Sequence, residues 1–129
     1  MKRLIDRIGK KRYEGSSVKP GVTYQEIPGL DVPSHRSNIA LRADKIAQSV
    51  DLNGKSVLDL GCNVGVLSNM LIERGADSVT AVDHDSDSIA LGKSLYTEVD
   101  YKNKKIDRDF VRRLKDYDVC VWFPSHDLA

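Results

Sequence analysis

The stretch VLDLGCNVG, from Val57 to Gly65, decides how this chain folds. Apolar residues interrupted by a single acid predict a buried strand over Ser56–Leu60. The glycines that follow predict a tight turn, because glycine lacks a Cβ and adopts positive φ without strain. Apolar residues from Val66 onward predict a helix that ends at Gly75, a residue type common after helix C-termini. A strand, turn and helix of this kind let the backbone approach a ligand closely.

A second stretch, SVTAVDHD from Ser78 to Asp85, predicts another strand, and an acid, Asp83, stands at its end. A carboxylate in that place can accept two hydrogen bonds from a ribose diol. The backbone N–H groups of the first turn favour a carboxylate, whereas Asp59 favours a cation. A ligand with an amino-acid end and a ribose, such as S-adenosylmethionine, satisfies both. The alternative interpretations are structural: Asp59 would be a carboxylate that caps the turn, and Asp83 an acid that caps a helix.

The rest of the chain alternates strand and helix patterns, which predicts an α/β fold with a parallel sheet and flanking helices. The further predicted elements are a helix from Ser37, its cap, to about Val50, a helix capped by Ser86, a third strand within Glu98–Ile106, a short helix with Phe110, Val111 and Leu114 on one face, and a fourth strand over Asp118–Phe123.

Upstream of these elements, Lys2–Arg12 predicts a short basic helix and Glu14–Pro33 a Gly/Pro/Ser-rich arm that is not helical. We therefore divide the chain into residues 1–33, the basic helix and arm, and 34–129, a Rossmann-like domain that binds S-adenosylmethionine. Tyr24, Gln25, His35 and Arg36 are arm residues that could close over the ligand.

Composition indicates one soluble globular domain, since 40% of the 129 residues are hydrophobic and 30% are charged. The net charge of +1 gives no global signal for nucleic acid, although residues 1–20 and 102–115 are rich in Lys and Arg. These two basic segments are either solvated surface or contacts for RNA. Cys62 and Cys120 have no metal-like spacing, and we predict that both are buried in a protein of a reducing compartment. We predict no metal, no membrane span and no secretory signal, and hence a cytoplasmic location.

Over Lys55 to about Phe123 the sequence resembles the class I S-adenosylmethionine-dependent methyltransferases. DLGCNVG matches the family's first motif, D/E-x-G-x-G-x-G, with Asn63 in place of the middle glycine, and AVDHD and YDVCVWF match its acidic loop and fourth strand. The resemblance implies a Rossmann-like sheet with strand order 3-2-1-4 and methyl transfer to an unidentified acceptor. It also implies donor contacts: Asp59, Gly61, Cys62, Asn63 and Gly65 around the methionine moiety, Asp83 on the ribose, His84 beside the adenine and Asp107 near the adenine amino group.

Two alternatives to a methyltransferase remain at this stage. A nicotinamide dinucleotide would need glycine at position 63 and glycine or alanine at 66, where the chain has Asn63 and Val66, and Asp59 would repel a pyrophosphate. The second alternative is a binding module that holds S-adenosylmethionine or S-adenosylhomocysteine without catalysis.

The end of the sequence leads to a further expectation about assembly. The family's fold continues through three more strands, which this chain lacks, and the apolar strand Val119–Phe123 is typical of a strand with neighbours on both sides. We therefore expect a homodimer or a further C-terminal half to cover it. His126 and Asp127, which follow this strand, are the candidates for a catalytic proton acceptor.

Overall fold

From Ile39 onward, the described chain alternates helices and strands in the order that the sequence predicts. The computed structural model describes residues 23–30, 34–36 and 38–122. Its elements are β1 (Thr23–Gln25), β2 (Ser34–Arg36), α1 (Ile39–Ser49), β3 (Ser56–Leu60), α2 (Val66–Glu73), β4 (Ser78–Asp83), α3 (Ser86–Leu95), β5 (Asp100–Asn103), α4 (Arg108–Arg112) and β6 (Val119–Trp122).

The central sheet has the strand order β5-β4-β3-β6, and every neighbouring pair is parallel. Numbered from the first predicted strand, this is the order 3-2-1-4, so the Rossmann-like α/β fold is confirmed. β3 has the predicted bounds, and β5 lies inside the predicted window. Two predicted helix caps are wrong by one residue, since Asn38 rather than Ser37 is the N-cap of α1 and Asp85 rather than Ser86 that of α3.

The two faces of the sheet are covered very differently. Side chains alternate between the faces of a strand, so neighbouring residues of β3 pack in separate clusters. Val57 packs in a core with residues of α1, α2 and α3. Leu58 lies on the other face. Phe110, Leu114 and other half-buried residues in and around the short helix α4 pack against its cluster. The face that α4 covers is therefore the more open of the two.

The strand β6 lies at one edge of the sheet and pairs with β3 alone in the described part of the chain. Val121 is buried, but Trp122 is 61% exposed. Cys120 is also exposed, so the prediction that both cysteines are buried is wrong for Cys120 and confirmed for Cys62. The reason is its register: Cys120 is the partner of Leu58 and lies on the face that the helices cover least.

The described part of the predicted non-helical arm contains β1, which pairs with β2 in a small parallel sheet. Ile27, just after β1, is 3% exposed and belongs to the main core, which fixes the arm to the sheet domain. The predicted helix Lys2–Arg12 lies outside the described residues, as do His126 and Asp127. No helix in the described ranges combines the length and the apolar character that crossing a membrane requires.

Candidate functional site at the glycine turn

In the turn after β3, three residues have positive φ angles, which most residue types adopt only with strain. Gly61 has φ 74°, Gly65 has φ 91° and Asn63, between them, has φ 56°. Asparagine is among the few residues other than glycine that adopt this left-handed region readily. The backbone N–H groups of Gly61 and Cys62 both donate to the carbonyl of Val82, at 2.8 and 3.0 Å. The turn is therefore attached to the end of β4, and a Cβ at Gly61 would meet open space.

Tyr101, on β5, packs against this turn and forms a hydrogen bond with it. Its hydroxyl donates to the carbonyl oxygen of Val64 at 2.7 Å, and burial raises the pKa of the phenol, which keeps the donor proton in place. The ring lies so close to Gly65 and Gly92 that a Cβ at either position would overlap it. Sequence reasoning missed this contact, although a lone glycine inside a helical pattern, as at Gly92, is a signal of close packing.

The carboxylate of Asp83 joins the two turns that follow β3 and β4. One oxygen accepts from the backbone N–H of Asn63 at 2.8 Å, and the other accepts from that of Asp85 at 2.9 Å. Asp83 is 4% exposed, so these hydrogen bonds stabilise a charge in a mostly dry environment. Asp85 in turn accepts from the hydroxyl of Ser88 at 2.6 Å at the start of α3. The structural alternative, a helix-capping Asp83, is wrong, because Asp85 is the N-cap of α3 while Asp83 joins the two turns. A role toward ribose would be additional to these contacts.

Asp59, on β3, lies on the same face of the sheet as Asp83. It is 3% exposed, and the hydroxyl of Ser68, on α2, donates to its Oδ2 at 2.6 Å. Burial raises the pKa of Asp59 from 3.8 to about 7; the hydrogen bond from Ser68 opposes this shift, and the negative charge of Asp83 adds to it. A cation beside this carboxyl would lower its pKa again and favour the ionised form.

Asn63 carries the only side chain in the described turn whose polar atoms are all without a partner. The residue is 2% exposed, and neither its Nδ2 nor its Oδ1 has a hydrogen bond. Burying an unpaired amide costs about 1–3 kcal/mol. Together with the open space at Gly61, this amide fits a polar ligand lying on the turn.

The remaining predicted residues lie at different distances from the turn. Cys62 is buried within it, and its Sγ contacts the carbonyl of Asn63 at 3.3 Å. The side chain of His84 is 78% exposed, with Nδ1 3.6 Å from Oδ1 of Asp83, so it stands at the rim. Asp107 is the N-cap of α4, where its carboxylate accepts from the N–H of Phe110 at 2.8 Å.

The arm contributes one contact that the sequence suggested only in outline. The backbone N–H of Val66, the first residue of α2, donates to Oε1 of Gln25 at 3.3 Å. A helix N-terminus is a favourable place for an acceptor or an anion, and Gln25 occupies it at the end of the turn. Within the described ranges, no group of three His, Cys, Asp or Glu residues could hold a metal ion.

Comparison with known proteins identifies the family. The family model described as "Methyltransferase small domain" matches residues 41–126. A curated relative, the ubiquinone biosynthesis O-methyltransferase of Erwinia tasmaniensis, is 34% identical over 129 aligned residues, covering 95% of this chain and 51% of the relative. The chain therefore belongs to the methyltransferase small domain family, among the class I S-adenosylmethionine-dependent methyltransferases. It spans about half the length of the curated relatives it matches.

Solved structures agree with this assignment. A Thermoplasma acidophilum protein shares 29% identity with a TM-score of 0.60, over 70% of this chain and 49% of that one. A putative RNA methyltransferase from Pyrococcus horikoshii shares 28% identity with a TM-score of 0.54, over 68% of this chain and 44% of that one. The similarity therefore extends over most of the described sheet domain.

The raised pKa of Asp59 predicts a specific pH dependence of stability. Because its folded-state value of about 7 exceeds the ordinary value of 3.8, the folded protein holds more protons than the unfolded chain between these pH values. This group therefore makes the free energy of unfolding fall as pH rises across that window, by at most about 1.4 kcal/mol per pH unit. Urea unfolding of wild type and Asp59→Asn at about pH 5, 6 and 7 measures the difference. A difference that does not vary with pH contradicts the assignment.

Removal of the Tyr101 hydroxyl should loosen the turn. Tyr101→Phe leaves the carbonyl of Val64 without this donor, so we expect a loss of about 1–3 kcal/mol in the free energy of unfolding. Tyr96→Phe is the matched control, because the half-buried Tyr96 hydroxyl has no hydrogen bond within the described residues. Equal stability changes in the two variants, measured by urea unfolding, would show that the hydroxyl does not hold the turn.

Proposed function

We propose that the glycine turn binds S-adenosylmethionine and that the protein transfers its methyl group to an acceptor. The observation that supports this best is the buried, unpaired amide of Asn63 inside the family's first motif. Bound there, S-adenosylmethionine would supply a methyl group on a positively charged sulfur. Such a displacement depends mainly on positioning the donor against the nucleophile.

In this proposal each group of residues in the site contacts a different part of the ligand. The side-chain amide of Asn63 and the positive end of α2 face the amino-acid carboxylate, because the backbone N–H groups of Gly61, Cys62 and Asn63 already donate within the protein. Asp59 faces the ammonium group. Asp83 accepts from the ribose hydroxyls in addition to its two backbone contacts. His84 and Asp107 lie on the adenine side.

The molecule that accepts the methyl group is not identified. The names of relatives mention ubiquinone biosynthesis and, for one structural neighbour, RNA. A general base is needed only for an acceptor of low nucleophilicity, and His126 or Asp127 would be its source in this chain. We further propose a cytoplasmic location, because the free thiols of Cys62 and Cys120 suit a reducing compartment.

A second proposal concerns the outer edge of β6. An edge strand presents unpaired backbone groups, and here Trp122 exposes 61% of its surface beside them. We propose that a second copy of the chain, or a C-terminal half of a longer protein, covers this edge in the working protein.

Donor binding is tested by calorimetry with S-adenosylhomocysteine. Wild type should bind, and Asn63→Gly should weaken binding about three- to tenfold, the value of one hydrogen bond. Glycine tolerates the left-handed backbone, so this variant should be no less stable than wild type. The control Asn69→Ala removes an amide that pairs with Glu73 on α2, away from the turn, and should leave affinity unchanged. An Asn63→Gly affinity equal to that of wild type removes the main support for the proposal.

The ribose contact is tested separately by Asp83→Ala, which should abolish binding because it removes both the proposed ribose acceptor and the link between the turns. Asp87→Ala, which removes an acid from the first turn of α3, is its control. Binding by wild type without release of S-adenosylhomocysteine in the presence of candidate acceptors would favour the non-catalytic module instead.

The proposal for β6 predicts self-association of this chain. Light scattering at increasing concentration should give a mass approaching that of a dimer, and Trp122→Lys should restore the monomer by placing a charge in the contact. A stable wild-type monomer at high concentration contradicts the dimer.

A further inference from the structure

A second cavity lies on the opposite face of the sheet from Asp59. Its volume is about 430 Å³, within the range of small-molecule sites. Leu58, Thr80 and Val82 form an apolar floor from β3 and β4, and the half-buried rings of Phe110 and Tyr117 stand beside them. The cavity therefore offers apolar surface and two aromatic rings to a flat group.

The rim of this cavity is strongly basic. Lys102, Lys104, Lys105, Arg113 and Lys115 line it, against the acids Asp107 and Asp109. Arg113 is paired, with its Nε 3.3 Å from Oδ2 of Asp109. The four lysines make no ion pair with any residue of the described ranges. Five basic residues against two acids leave the rim with an excess of positive charge, which favours an anion there.

The charge of this segment differs from that of the chain around it. Residues 102–115 carry seven Lys and Arg against two Asp, a net +5 in a chain of net +1, so the other residues together carry net −4. The chain's own N-terminal segment is a poor complement, because residues 1–22 contain seven Lys and Arg against two acids. Residues 123–129 contain a single acid, Asp127. Neither of these two segments therefore offers the concentrated negative charge that would complement the rim.

We propose that this cavity binds a nucleotide, with its phosphate on the lysine rim and its base against the aromatic and apolar floor. Stacking on aromatic side chains and phosphate contacts from lysine are the two interactions by which proteins hold nucleotides without reading sequence. The site goes beyond the proposed donor site, because it lies across the sheet from the glycine turn. Asp107 is the only residue shared by the cavity lining and the predicted donor contacts.

Binding is measured with two probes, ATP and a fluorescent oligouridylate of about eight nucleotides. The double variant Lys105→Glu/Lys115→Glu changes two rim charges that lie outside helices and strands, and it should weaken binding about tenfold or more. For the oligonucleotide, the slope of log K against log salt should decrease by about 0.7 for each phosphate that the variant no longer neutralises. The control Lys45→Glu/Lys93→Glu makes the same charge change on α1 and α3, across the sheet, and should bind almost as wild type does.

The two probes also identify the source of the nucleotide. Tight binding of the oligouridylate alone indicates a strand of RNA, and comparable binding of ATP indicates a free nucleotide. Saturating S-adenosylhomocysteine should leave both affinities unchanged if the cavity is separate from the donor site. Competition by S-adenosylhomocysteine, an equal loss in the control variant, or no binding of either probe would overturn the proposal, while circular dichroism of each variant verifies its folding.

Discussion

The carboxylate of Asp83 is the interaction on which the site depends. A single buried side chain holds the N–H of Asn63 in one turn and that of Asp85 in the next. Because it ends β4, it fixes both turns relative to the sheet, and the parallel register of β3 and β4 brings the two turns side by side. Charge-assisted hydrogen bonds to backbone N–H groups are about twice as strong as neutral ones, which offsets the burial of the charge.

Beside this link, two buried polar side chains are in unfavourable surroundings. The amide of Asn63 has no partner, and the pKa of Asp59 is raised to about 7 because burial and a neighbouring carboxylate disfavour its ionised form. Local departures of this kind lower stability and concentrate at functional sites. The opposite face has an imbalance of another kind, since five basic residues and two acids line its cavity.

Much of this fold follows from local sequence patterns. The run from Val57 to Gly65 predicts β3 and its turn, because apolar residues followed by closely spaced glycines are typical of a buried strand and a turn with positive φ. Tyr101 could not be identified in advance, because its hydrogen bond to Val64 joins positions 37 residues apart and depends on the close approach of α3 at Gly92. The exposure of Cys120 also escaped prediction, since an apolar run does not show which face of an edge strand is covered. The contact of Asp83 with the N–H of Asn63 was not predicted, because it joins positions 20 residues apart and depends on the pairing of β3 with β4.

The central claim, that the glycine turn binds the methyl donor, is tested most directly by nuclear magnetic resonance of the ¹⁵N-labelled chain during titration with S-adenosylhomocysteine. The account predicts saturable shifts at the backbone amides from Gly61 to Gly65 and at the side-chain amide of Asn63, whose two polar atoms have no protein partner. Shifts confined to residues 102–115, or no shifts in a folded protein, would contradict it.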